Sequence, residues 1–401
     1  MNTLNKKQWK YINEGNVHIV LQILDTCKVI RLIKDEQRNV DITTYINSIE
    51  FVNILMLPLV CKGHAYKEEI LCLSNHEITE LTTTLLQIRP KHRIHKMSIS
   101  QFALSAPNLT ILEPTITNYC VEIKTKEGFL AKTLEEYSRC YYCMKQFLKL
   151  CDKQIDKISK YCPLNLYSGD RKRMKVALVN LVENPQNNFK MFKNSEIIYS
   201  ENSSIEFEQI ISTTILNSTN VFFDLIINIL LSDGESDIVL NETTGVIPET
   251  SHKCNKKQDL PPNSFLYNLV EIQSLSNNLN IDYTAIDDIN ISDLIKKVKD
   301  KNYNLRNSID RKEFINSVDP LHLALISAVA KDCSVMITFT EQNCEGYPII
   351  QFGDKKMSYR IVVTDLEPKT VKSIIKRKDT EKKLQQLIKK QNNNAANADC
   401  S

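Results

Sequence analysis

The 401 residues are 42% hydrophobic and 25% charged, enough apolar material for a large core divided over two or three folded units. Lys and Arg outnumber Asp and Glu by 51 to 48, and a formal charge of +3 excludes a chain whose bulk electrostatics demand nucleic acid. Any basic site must come from local clustering. Only eight glycines are present, and neither GxxxxGK[ST] nor GxGxxG occurs, which excludes the usual glycine-rich phosphate loops. The chain opens Met-Asn-Thr-Leu-Asn-Lys-Lys without an apolar signal segment. Its twelve cysteines therefore read as reduced thiols of an intracellular protein, cytoplasmic and/or nuclear, rather than a disulfide framework. No apolar run reaches the roughly 18 residues of a membrane span, and the best candidate, 221–231, holds Asp224.

Residues 17–24 and 29–33 are β-rich runs separated by Asp25-Thr26-Cys27-Lys28, which predicts a hairpin. Residues 43–60 read as helical and then extended. Leucines and isoleucines at helical spacing predict a helix over 76–88, capped by Asn75. A short strand is read at 110–113, and clean alternation predicts another at 121–126. Residues 134–158 read as one long helix. Residues 170–183 read as a second, with Met174, Ala177, Leu178 and Leu181 on one face and Pro185 as its stop. Residues 195–315 change texture and are rich in Asn, Ser, Asp and Thr. Helical runs at 206–231 and 264–280 flank a loop at 232–262, and the segment reads as a partly mobile elaboration. Residues 319–330 read as a helix, and 334–340 and 359–364 as strands. An amphipathic helix over 369–390 carries eight Lys and one Arg against Asp379 and Glu381. The polar tail 391–401 reads as disordered.

Three places could carry chemistry. In Val121-Glu122-Ile123-Lys124-Thr125-Lys126-Glu127-Gly128-Phe129, strand geometry puts Glu122, Lys124 and Lys126 on one face and Val121 and Ile123 toward the core. Two cations beside a carboxylate can hold phosphate oxygens, with the Glu orienting one Lys. The same pattern also suits a solvated face of a half-exposed strand. Asp332 follows Lys331 just ahead of an apolar strand, where a helix end or turn is the plain alternative. Asp365 directly follows an apolar strand, a common place for a kinase metal ligand and also for a strand-ending turn.

That first string resembles the Glu-Ile-Lys-Pro-Lys-x-Gly-Phe motif of the inositol-pentakisphosphate 2-kinase family, with Thr125 in place of Pro. The resemblance continues in order. Tyr161-Cys162-Pro163-Leu164-Asn165-Leu166-Tyr167-Ser168-Gly169 is similar to the family's CPLDL[FY]SG string, and Gln186-Asn187-Asn188-Phe189-Lys190-Met191-Phe192 to its QNN string. Ala330-Lys331-Asp332-Cys333-Ser334 matches its AKDCS, and Asp365-Leu366-Glu367-Pro368-Lys369 resembles its Asp-Leu-Asp-x-Lys. Near the start, Gly15-Asn16, Arg31 and Arg89-Pro90-Lys91-His92-Arg93 resemble a Gly-Asn element, a Leu-Arg strand and an RPxxR element. The likeness spans about residues 11–378, with 195–315 essentially unmatched.

The resemblance implies a two-lobed, kinase-like α+β fold. A small N-terminal lobe takes 1–112 and a larger lobe 113–378, with the variable helical insertion at about 195–315. The basic helix end and tail take 379–401. It implies ATP-dependent phosphorylation of inositol 1,3,4,5,6-pentakisphosphate at its 2-hydroxyl to give the hexakisphosphate, with Mg2+. Asp332 is then the general base, Lys124 holds the transferred phosphate, and Asp365 binds Mg2+ on the ATP phosphates. Lys126, Lys149, Asn187 and Lys369 would meet the inositol phosphates. Asn16, Arg31, Arg93, Asn108, Glu122, Asn188 and Lys190 fall on the nucleotide side. Five phosphates at about −1.5 to −2 each need many cations in one pocket.

Departures from the pattern are local. Tyr141 and Lys145 stand where the family's helix motif has Arg and His, with Arg139 nearby. Ile374-Ile375-Lys376-Arg377-Lys378-Asp379 replaces its aromatic and Lys-Leu-Asp stretch, so contacts from Lys372 and Lys376 are not expected. Some relatives carry zinc in the inserted region. Here Cys140-Tyr141-Tyr142-Cys143 has no local second pair, and the thiols read as buried or idle. The expected protein is a monomer without a membrane span or nucleic-acid partner. The rival readings are a non-catalytic inositol-phosphate-binding scaffold and, behind it, a nucleic-acid binder using the basic runs at 171–175 and 369–390.

Overall fold

The computed structural model describes residues 8–15, 17–34, 41–61, 66–95, 98–137, 139–240, 254, 257–279, 281, 286 and 289–398. The smaller of two sheets contains β1 (Trp9–Glu14), β2 (His18–Ile23), β3 (Lys28–Lys34), β4 (Glu69–Cys72) and β5 (Ile99–Pro107), in the order β1-β2-β3-β5-β4. Its pairs are all antiparallel. β2 and β3 form the expected hairpin, and Asp25 turns it with a φ of 57°. Ile19, Leu21, Ile30 and Leu32 pack beneath the sheet against Leu81 and Leu85 of the helix Asn75–Ile88. That helix starts one residue earlier than expected. Ser74 is the cap, because Glu77 reaches back to the Ser74 amide at 2.8 Å and completes a capping box.

The larger sheet contains β6 (Tyr119–Ile123), β7 (Phe189–Lys193), β8 (Glu196–Tyr199), β9 (Ile238–Val239), β10 (Ser334–Thr340), β11 (Ile349–Phe352) and β12 (Lys355–Thr364). They run in the order β8-β7-β6-β10-β12-β11-β9. Every residue of β10 is buried, as a central strand covered on both faces requires.

Several expectations are corrected. Residues 43–60 do not turn extended. The helix Ile42–Glu50 runs through a π-helical segment, Phe51–Met56, into Leu57–Val60. This 19-residue stretch is apolar enough to cross a membrane by length and composition, but Phe51, Val52, Leu55, Met56 and Leu59 lie in the larger core. No strand forms at 110–113. The long helix over 134–158 is instead a 3-10 segment, Lys132–Tyr137, and a separate helix, Tyr141–Cys151. Cys140 is extended there and caps the second piece, and Lys153 ends it with a φ of 53°. The tail is helical further than expected, as the helix Val371–Ala398 shows.

The described residues of 195–315 are built into the core rather than hung upon it. Phe222, Leu266, Leu269 and Phe314 are essentially inaccessible. Asp224, the charge within the apolar run, meets Lys175 of the helix Arg171–Glu183 at 3.1 Å, both buried. Arg171 likewise donates to Asn228, and Arg173 to Asn165 and the Leu164 carbonyl. Of the basic run at 171–175, Arg171, Arg173 and Lys175 are thus engaged within the fold, while Lys172 is exposed.

Gly128 shows why the Glu-Ile-Lys string carries a glycine. A Cβ there would stand 2.3 Å from Cγ of Tyr167, a fully buried ring. We expect Gly128→Ala to destabilise the protein by ~1–3 kcal/mol, the range for overpacking a filled core. A denaturation midpoint matching wild type would contradict this.

Candidate active site

Strand register assembles the site. β10 pairs antiparallel with both β6 and β12, with Val335 opposite Ile123 and Ser334 opposite Thr364. The ends of β6 and β12 and the start of β10 therefore share one edge of the sheet. Lys124 and Lys126 leave from the first, Asp365 and Lys369 from the second, and Asp332 enters the third.

The strand alternation stops at Ile123, earlier than expected. Lys124 still donates its amide to the Asn188 carbonyl at 2.9 Å. Thr125 turns inward, where the Tyr167 hydroxyl donates to its Oγ1 at 2.8 Å. Lys126 takes a φ of 59°. The two lysines thus part. Lys124 Nζ lies 3.7 Å from Asp365 Oδ2, and Lys126 Nζ lies 3.6 Å from Asp332 Oδ1. Lys369 Nζ donates to the other oxygen of Asp332 at 3.1 Å. Burial alone would raise the Asp332 carboxyl, but Lys126 and Lys369 outweigh it and hold the group below the usual carboxylate range. Burial pushes the Lys126 ammonium below its ordinary value, partly offset by Asp332.

Behind Lys124 stands an acidic pair. The Ser334 hydroxyl lies 3.1 Å from Glu122 Oε1 and 2.9 Å from Asp365 Oδ2, and its single proton can serve only one at a time. Lys190 Nζ donates to Glu122 Oε2 at 3.3 Å. Two carboxylates converging on one hydroxyl offer the oxygen ligands that could hold a hard cation such as Mg2+. Arg31, on β3, reaches across from the smaller sheet to Glu367 at 3.1 Å and also pairs with buried Glu68.

Beside Asp332 opens a cavity of about 550 Å3. Its lining holds seven cationic side chains, Lys126, Lys145, Lys149, Lys331, Lys369, Lys376 and Arg377, against Glu127, Glu201 and Asp332, a net of +4. Asn187 and Asn188 line it too. Arg377 was not legible as a site residue, and Lys376 was not expected here. Arg377 sits 3.9 Å over the Tyr141 ring and pairs with Glu127 and Glu381, so a guanidinium faces the position where the family's helix motif has its Arg. Burial followed by neighbouring Lys149 pushes the Lys145 ammonium below its ordinary value. Arg139 instead lies over Phe147, 5.1 Å from its centroid.

Three further expected residues either join neither this lining nor the contacts around Glu122 and Asp365, or lie outside the described residues. Asn16 is outside the described residues. Arg93 sits on the turn Lys91–Arg93, where its carbonyl accepts from Arg89 at 2.8 Å. Asn108 is buried where the chain passes from β5 to β6. Its Nδ2 donates to Ser195 Oγ at 2.9 Å, and its Oδ1 accepts the Thr110 amide at 3.0 Å.

The family model described as inositol-pentakisphosphate 2-kinase matches residues 11–383. The chain belongs to the inositol-pentakisphosphate 2-kinase family. It is 27% identical to the inositol-pentakisphosphate 2-kinase of Danio rerio, over 93% of this chain and 91% of that protein. It is 26% identical to the protein of that name in Arabidopsis thaliana, over 63% of this chain and 55% of that one. A shorter match, 42% identical over 18% of this chain and 12% of the relative, joins it to the protein of the same name in Drosophila melanogaster.

A second constellation in this family member departs from the reading of idle thiols. Cys140, Cys143, Cys162 and Cys254 bring their sulfurs within 4.8 Å of one another. The pair missing near Cys140 in sequence is supplied by the CPLNL string and by the insertion. The Cys140 amide faces Cys254 Sγ at 3.3 Å, and the Cys143 amide faces Cys140 Sγ at 3.5 Å, contacts that would steady thiolates. Four sulfurs with no open position fit a structural tetrahedral zinc. We expect the purified protein to carry about one zinc per chain by elemental analysis. Cys143→Ser should lose it and lower the melting temperature, since metal affinity adds to folding free energy. Metal-free protein with an unaltered melt would rule the site out.

Proposed function

We propose that this chain transfers the terminal phosphoryl group of ATP to the axial 2-hydroxyl of inositol 1,3,4,5,6-pentakisphosphate, giving the hexakisphosphate and ADP. Family membership implies the kinase reaction and ATP as co-substrate. The observation that carries the finer reading is Asp332, clasped between Lys126 and Lys369 on the wall of the basic cavity.

The roles follow from position. The cavity's cations neutralise the substrate phosphates, with Lys126, Lys149, Asn187 and Lys369 as the principal contacts. Asp332, kept ionised, accepts the proton of the 2-hydroxyl as its oxygen bonds to phosphorus. Lys124 steadies the group in flight. Asp365, with Glu122 near it, would hold Mg2+, whose charge offsets that of the ATP phosphates when bound. Lys190 and Asn188 stand on the nucleotide side, and Arg31 ties the two sheets together there. We read the small sheet as the N-terminal lobe of a two-lobed kinase-like body, with Asn108 at the crossing. Catalysis then rests on positioning and charge more than on covalent chemistry. We read the chain as a monomer of a reducing compartment.

The test is product formation from labelled ATP, Mg2+ and the pentakisphosphate. Wild type should make hexakisphosphate, and Asp332→Ala should lose at least ~100-fold in kcat. Binding without turnover in wild type would favour the non-catalytic scaffold, with Tyr141 and Lys145 as the first suspects. A pH profile adds a sign. Lys126 and Lys369 depress the Asp332 carboxyl, so Lys126→Met should move the acid limb of kcat/KM to higher pH. A limb that stays put or moves lower would argue against Asp332 as the base.

A further inference from the structure

The segment 195–315 supplies a buried side chain that reaches both catalytic loops. Gln273, on the helix Phe265–Ser274, is fully buried. Its Oε1 accepts the Gly128 amide at 2.8 Å. Its Nε2 donates to the Lys126 carbonyl at 3.0 Å and to the Ala330 carbonyl at 3.1 Å, and lies 3.2 Å from the Tyr167 hydroxyl. Lys126 and Gly128 belong to the loop after β6. Ala330 ends the helix Pro320–Ala330, two residues before Asp332.

Each contact answers a local need. With a φ of 59° at Lys126, the loop leaves regular strand pairing, and its carbonyl needs a partner other than a neighbouring strand. The Ala330 carbonyl is among the last of its helix, which have no partner within the helix. An amide is costly to bury unless bonded at both ends, and Gln273 is bonded at both. Ser327 bonds elsewhere on the same residue, donating to the backbone carbonyl of Gln273 at 2.5 Å and making no contact with its side-chain amide.

We propose that Gln273 is a positioning residue, the brace that sets Lys126 and Asp332 at their working separation in the active site. The inference rests on the kinase reading of that site, and it assigns a role to a residue outside every motif noted in the sequence. Lys126 Nζ and Asp332 Oδ1 are 3.6 Å apart. Displacements of about 1 Å in such constellations can cost on the order of 100-fold in rate.

The experiment compares full-length wild type, Gln273→Met, Gln273→Glu and Ser327→Ala by thermal melt and steady-state kinetics with ATP and the pentakisphosphate. Gln273→Met keeps the shape and removes the bonds. We expect kcat to fall ~10–100-fold with KM for ATP within about twofold of wild type. Ser327→Ala loses a bond to the Gln273 backbone, leaves the side-chain amide's bonds to both loops in place, and should lower the melting temperature while leaving kcat near wild type. Folded Gln273→Met with wild-type kcat overturns the proposal however far its melt drops, as does an equal loss of kcat in Ser327→Ala. If Gln273→Met does not fold, Gln273→Glu, which keeps the bond from Gly128, is judged by the same criterion. If wild type itself transfers no phosphate, the kinase reading has failed. The brace is then tested by pentakisphosphate titration, where a Kd unchanged by the Gln273 substitutions overturns it.

Discussion

Like charges crowded into a half-buried cavity repel one another, and that repulsion governs this molecule. Two cations about 4 Å apart differ by about 4 kcal/mol from separated ones at an effective dielectric of 20. Asp332 stands between Lys126 and Lys369, and Glu127 between Lys331 and Arg377, so each carboxylate offsets two neighbours. The balance is incomplete. Burial still holds the Lys126, Lys145 and Lys331 ammonium groups below their ordinary values. A cavity with a net of +4 is a poor place for water alone and a good one for a compact polyanion.

The strand order makes this crowding possible. One central strand, β10, lies between the strands that deliver Lys124 and Lys126 on one side and Asp365 and Lys369 on the other. A slip of one residue in either register would send the delivered side chains to the opposite face. The helices Tyr141–Cys151 and Val371–Ala398 then close the cavity, and Arg377 of the second covers Tyr141 of the first.

Much of the site was legible because phosphate chemistry needs particular residue types at strand ends, and short strings preserve them. Lys126, Lys149, Asn187, Lys369 and Asp332 were named from the sequence and converge on the cavity. What failed to show depends on tertiary partners. Gln273 looks like any polar residue on a helix until Lys126, Gly128 and Ala330 arrive around it. Cys162 and Cys254 lie far from Cys140 in the chain, so spacing could not disclose their meeting. The apolar run after Phe51 does not by periodicity distinguish strand from buried helix, and the larger core decided for helix. The tail was read from composition, but a helix already nucleated upstream extends at little cost.

If these separated cations form one polyanion site, calorimetric titration of inositol 1,3,4,5,6-pentakisphosphate at increasing ionic strength will reveal it. We expect saturable binding that weakens by at least about tenfold as salt rises from about 50 to about 200 mM, because screening acts on every phosphate contact at once. Absence of binding, or an affinity indifferent to salt, would contradict it.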